Sequence, residues 1–178
     1  MRLKGWLNMA NTYVLISSNT LSSSAASVTF SSIPSTYTDL VLRASTRLDS
    51  GAVATALYIS FNSVSANYSL TRIQGNGSAA SSGRDSAASV WYGYASNGTG
   101  TTANTFSNVE LYIPNYTGSS AKCASLIIGA EDNTSTAYTN AEALLNTATA
   151  AITSVTFSSA SSNFVSGSSF YLYGVKNS

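Results

Sequence analysis

Thr105-Phe106-Ser107-Asn108-Val109-Glu110-Leu111-Tyr112-Ile113-Pro114-Asn115-Tyr116 decides the fold. In an extended backbone Val109, Leu111 and Ile113 fall on one side, and Asn108, Glu110 and Tyr112 fall on the other. That period of two predicts a strand with one face on a core. Pro114 has no N–H to give a further ladder bond, so the strand is expected to stop there and the chain to turn at Asn115.

The same pattern recurs outward in both directions. Toward the C-terminus, Ala121 to Ile128 is apolar at Ala124, Leu126 and Ile128, with Ile127 on the other face taken as a sign of deeper burial. Tyr138 to Leu145 reads as a strand although Ala141, Glu142, Ala143, Leu144 and Leu145 also favour helix. Ile152 to Phe157 and Ser168 to Lys176 follow, the latter with Phe170, Leu172 and Gly174 opposite Tyr171, Tyr173 and Val175. Toward the N-terminus, Thr12 to Ser17 and Val28 to Phe30 are short strands, the second ended by Ile33-Pro34-Ser35. Asp39 to Arg47 places Leu40, Leu42 and Ala44 inward and Val41, Arg43, Ser45 and Arg47 outward. Thr55 to Phe61 places Leu57, Ile59 and Phe61 inward, and a hairpin between these two strands is the plausible pairing. Tyr68 to Ile73 and Val90 to Tyr94 complete the set. Ser78 to Ser89 reads as an Ala/Ser/Gly surface loop, and Ser96 to Thr102 as the most flexible loop. Nine to eleven strands without a crossover helix predict an all-β antiparallel two-sheet sandwich, jelly-roll-like. Residues 12–178 form that domain, and residues 1–11 an N-terminal extension or arm.

Composition narrows the function. The chain has 178 residues, 44% apolar and only 8% charged, with Ser, Thr, Asn and Gly in place of charge. One core of ordinary size needs no metal or disulfide staple. Net charge is +1, and Arg43 with Arg47 is the nearest approach to a basic patch, so nucleic acid is not an expected ligand. Met1 to Met9 has no long apolar run and fits neither a signal peptide nor a membrane span. Translation starts at Met1 or at Met9 are both compatible with the sequence, residues 1–8 being an upstream extension in the second case. The single Cys123 excludes an intrachain disulfide and reads as a small, at least half-buried thiol.

Histidine is absent, which removes the commonest general base, most zinc and copper sites, and every Ser–His–Asp or Cys–His arrangement. Asn97-Gly98-Thr99-Gly100 precedes no lysine and no helix, so it is not a phosphate loop. The carboxylates Asp39, Asp49, Asp85, Glu110, Glu131, Asp132 and Glu142 show no glycosidase pairing. Glu131, Asp132 and Asn133 supply too few oxygens for calcium at a recognised spacing. The five Asn-x-Ser/Thr matches fit chance in a chain this rich in those residues. No enzyme activity and no cofactor are expected. Tyrosines on outward strand phases favour protein packing. The expected contact residues are Tyr58, Tyr112, Tyr171 and Tyr173, with Leu3, Trp6 and Leu7 of the arm. Asn97, Thr99 and Thr101 form the expected ligand loop.

Three stretches add a resemblance: Thr36-Tyr37-Thr38-Asp39-Leu40, Ile113-Pro114-Asn115-Tyr116 and Leu172-Tyr173-Gly174-Val175-Lys176. With Tyr13 to Ser18, Phe30 to Ser35 and Ile152 to Val155 they span nearly the whole chain from Thr12. In this order and spacing the chain resembles a family of small β-sandwich virion proteins of tailed bacteriophages. The resemblance implies a structural protein at the virion surface, assembled in the host cytoplasm. A capsid decoration protein on the major capsid protein is the first expectation, as a homo-oligomer such as a trimer. A tail-fibre or adsorption module binding a host glycan is the second, and a non-viral protein-binding domain the third. The matching residues look like turn and core positions, and none is implied to be catalytic.

Overall fold

Alternating apolar residues dictate which side of most strands is buried, and twelve strands are found among the described residues. They are β1 (Tyr13–Thr20), β2 (Ser27–Phe30), β3 (Asp39–Thr46), β4 (Ala54–Phe61), β5 (Tyr68–Gly75), β6 (Ala80–Ala88), β7 (Trp91–Asn97), β8 (Ser107–Ile113), β9 (Lys122–Ala130), β10 (Tyr138–Asn146), β11 (Val155–Ser159) and β12 (Ser169–Val175). The computed structural model describes residues 12–133 and 137–176, and those residues contain no helix. Residues 1–11, with the expected contacts Leu3, Trp6 and Leu7, lie outside them.

The strands form an eight-stranded sheet in the order β1-β12-β3-β8-β9-β10-β5-β6 and a four-stranded sheet in the order β2-β11-β4-β7, every pairing antiparallel. Setting aside the hairpins β5–β6 and β9–β10 leaves two four-stranded sheets, β1-β12-β3-β8 and β2-β11-β4-β7. The chain passes between these sheets at nearly every connection, which is the interleaved order of a jelly roll. The two hairpins widen one sheet only. They form an extension beyond the jelly-roll half.

The core fills the space between the sheets. Trp91, Phe61 and Tyr68 meet edge-on or tilted, with the Phe61 and Trp91 centroids 4.7 Å apart. A second cluster joins Phe157, Phe164 and Phe170. Leu40, Leu42, Leu57, Ile59 and Leu111 are fully buried between them. The buried Trp91 still satisfies its indole, donating from Nε1 to the Leu145 carbonyl at 3.0 Å. Asn115 takes φ 48° after Pro114, a left-handed conformation that asparagine tolerates.

Several expectations are corrected. β3 and β4 are not a hairpin: β3 lies between β12 and β8, and β4 between β11 and β7 in the opposite sheet. Ser78 to Ser89 is mostly strand, because β6 pairs with β5 from Tyr68↔Ala88 to Gly75↔Ala80. As an edge strand with a partner on one side, it needs few large side chains. Ile127 and Cys123 are exposed, not buried; β9 keeps strict alternation, and both stand on its odd, solvent-facing phase. Val41 and Arg47, expected outward, are buried. Val41 lies between Tyr173 and Tyr112 in the ladder, flanked on its own face by two large cross-strand neighbours. Arg47 follows the end of β3, where the phase of the strand no longer applies.

Candidate functional site: the outer face of the eight-stranded sheet

The side of the large sheet turned away from the core is read through its register. One row across the strands runs Leu15, Tyr173, Val41, Tyr112, Ser125, Ala143 and Thr71. The next runs Ser18, Tyr171, Arg43, Glu110, Ile127, Ala141 and Ile73. The large hydrophobic residues exposed among those described are Tyr13, Leu15, Ile73, Tyr112 and Ile127, from 38% to 65% accessible. All of them belong to this face. A solvated strand surface ordinarily carries Lys or Glu at such positions.

The face has two parts. On the extension, Ile127, Ala141 and Ile73 stand side by side on β9, β10 and β5, flanked by Ser125, Ala143 and Thr71. On the jelly-roll half, Tyr171 and Tyr173 stack with centroids 6.5 Å apart and planes 21° off parallel. Beside them Arg43 Nε donates to Glu110 Oε2 at 2.9 Å, and Nη2 stands 2.9 Å from the same oxygen. Both groups are about half exposed, so the pair contributes little to stability. A depression of about 340 Å³ lies over Arg43, Phe106, Asn108, Ser169, Tyr171 and Tyr173. A neighbouring depression of about 310 Å³ continues it past Asn108 and Glu110 to Ile127 and Thr139.

Of the expected contact residues, Tyr112, Tyr171 and Tyr173 are gathered on this face. Tyr112 donates to Asp39 Oδ2 at 2.8 Å, and that bond, with burial, raises its hydroxyl pKa. Tyr58 is not with them: it lies on β4 of the other sheet, edge-on to Tyr92. Sequence reasoning missed Arg43, Phe106, Asn108, Ile73 and Ile127 as contacts, although the outward phase of each strand residue among them was readable.

The expected ligand loop is a packed structural feature. Asn97 and Thr101 are buried, and only Thr99 of the three is exposed. Arg47 Nη1 donates to Thr101 Oγ1 at 3.0 Å and to the carbonyls of Thr102 and Thr105 at 3.0 and 2.8 Å. Asn97 Nδ2 donates to Thr105 Oγ1 at 3.1 Å. A guanidinium that serves loop carbonyls locks the loop. Lys122 does the same at the opposite end of the core, donating from Nζ to the Gly118 and Ser120 carbonyls. At 131–133, Glu131 Oε1 accepts from the backbone of Asp132 and Asn133, and no group of metal-ligating side chains occurs among the described residues.

The stretches behind the resemblance converge in space. Asp39 accepts from Tyr112 and, at 2.9 Å, from the Asn115 amide. Tyr116 is buried and donates to the Pro34 carbonyl. The Tyr37 ring lies against Gly174, where an added Cβ would come within 2.3 Å of it, and Lys176 Nζ stands 5.7 Å from its centre. These residues tie three distant segments into one knot at the end of β3, β8 and β12, and their role there is architectural. Comparison with protein-family models, curated proteins and solved structures finds no match to this chain.

Proposed function

We propose that the chain is a structural protein of the surface of a tailed-phage virion, a capsid decoration protein that seats on the major capsid protein in many copies. The observation that carries this reading is the row of exposed apolar side chains Ile127, Ala141 and Ile73 on the extension, where the outer face holds no charge between Glu110 on β8 and Arg84 on β6. Seven strand spacings and about seven residues give the whole face roughly 34 by 24 Å, or about 800 Å². The extension half is about 400 Å², less than the roughly 800 Å² per partner of a stable interface, and a closed trimer would present about 1,200 Å².

The test is copy number together with one double substitution. Quantitative mass spectrometry of whole particles is expected to find the chain in hundreds of copies. Ile73→Lys with Ile127→Lys, on strand positions open to water, is expected to leave the melting temperature unchanged and to strip the protein from particles. A few tens of copies or fewer would replace this reading with the tail-fibre or adsorption module. Full incorporation of the double variant would remove the extension face from the contact.

A further inference from the structure

We infer that the groove over β12, β3 and β8 is a binding site for a neutral glycan. It is lined by Tyr171, Tyr173, Phe106, Arg43 and Asn108, with Glu110 beside Arg43. This site adjoins the Ile127–Ala141–Ile73 patch at Glu110 but shares no lining residue with it, and the inference holds on capsid or tail alike.

The ligand class follows from what the groove offers. Its aromatic surfaces are Phe106 and the stacked Tyr171 and Tyr173, the two tyrosines half-buried. Half-exposed rings of this kind accept the C–H face of a pyranose and keep a polar edge free. Next to the rings, on the same ladder row, Tyr171 stands opposite Arg43 and Arg43 opposite Glu110. Both contacts from Arg43 fall on Glu110 Oε2, so Oε1 is left as an acceptor beside the remaining guanidinium donors. An adjacent donor and acceptor held at fixed separation match two neighbouring hydroxyls, one accepting and one donating. The exposed carboxamide of Asn108 adds one of each kind.

Other ligand classes fit less well. A phosphate or sulfate needs unpaired positive charge, and Arg43 is neutralised by Glu110. An aliphatic ligand would bury that ion pair without replacing its hydrogen bonds. A proline-rich peptide also lies on tyrosines, but it gives no use to a carboxylate placed beside them. The volume of about 340 Å³ suits one or two sugar rings.

The test is a titration of the full ¹⁵N-labelled chain with maltose, lactose, chitobiose and dextran, read by amide shifts. Saturable shifts confined to Arg43, Phe106, Asn108, Glu110, Tyr171 and Tyr173 are expected with at least one of these. Tyr171→Ala is expected to weaken that binding about tenfold or more. Asn108→Ala, at an exposed position where substitution changes stability little, is expected to weaken it measurably, and Ile73→Ser to leave it unchanged. Absence of shifts with all four sugars, shifts centred elsewhere, or unchanged binding by Asn108→Ala would overturn the site. So would displacement of the sugar from these residues by a proline-rich peptide that binds them more tightly.

Discussion

Glu142 is a carboxyl group placed where none is easily tolerated. It sits on the inward phase of β10, opposite Arg72 of β5 and Leu126 of β9, and is nearly fully buried. Neither carboxylate oxygen has a hydrogen-bond partner, and the strand that approaches it from the other sheet does so at a glycine, Gly93. Burial pushes its pKa up from 4.5 to about 7, against the opposing pull of Arg72. The folded chain therefore keeps a proton that the unfolded chain releases, and stability is fully present below pH 4.5 and lost as pH rises to about 7. The loss amounts to roughly 3 kcal/mol at most. Urea midpoints of the wild-type chain should fall between pH 5 and pH 8, and Glu142→Gln should be the more stable chain at pH 8 with that fall removed; an equal fall in the variant would refute the assignment. Nothing in the alternation of Tyr138 to Leu145 announced this, since Ala141, Ala143 and Leu145 make the opposite phase the more apolar one and the carboxylates were expected mostly in turns or on outward phases. For Cys123 and Ile127 the phase was the better guide, and hydrophobicity misled.

At the scale of elements, close approach sets what each strand tolerates. β12 passes under Tyr37 at Gly174, where a methyl group would meet the ring at 2.3 Å, whereas Gly129 on β9 has nothing within 4 Å. Gly174→Ala is expected to lower stability by roughly 1–3 kcal/mol, while Gly129→Ala should change it by no more than about 0.5 kcal/mol, or raise it slightly. Thermal denaturation of the pair checks both. The loop after β7 depends on Arg47 in a comparable way: Arg47→Ala leaves the Thr105 carbonyl without its donor, while the Thr102 carbonyl keeps the Thr105 amide and hydroxyl. A loss of roughly 2–4 kcal/mol is expected, with new protease cleavage between residues 98 and 105; an uncut loop would argue against the lock. β8 was legible because apolar and polar residues alternate along it from Asn108 to Ile113. β6 was not, because Ala, Ser and Gly have no contrast between faces, and its strand state comes from pairing with β5.

For the molecule as a whole, the all-β sandwich was legible from the sequence, but strand order was not. Neighbours in sequence such as β3 and β4 part to opposite sheets, and that choice depends on non-local packing that a local period cannot report. The interleaving has a consequence for how the protein is made. β1 joins the large sheet only through β12, and β3 also leans on β12. A ribosome delivers β1 first and β12 last, so the earliest strand waits for the latest before it has a neighbour. A chain ended before Ser169 is expected to be wholly unfolded, without the cooperative transition of the full chain in circular dichroism, and a truncated chain that melts cooperatively would contradict this. Synthesis then carries its own checkpoint: a fragment released before β12 has no half-built sandwich, and the chain presents a folded surface only once its latest strand is in place.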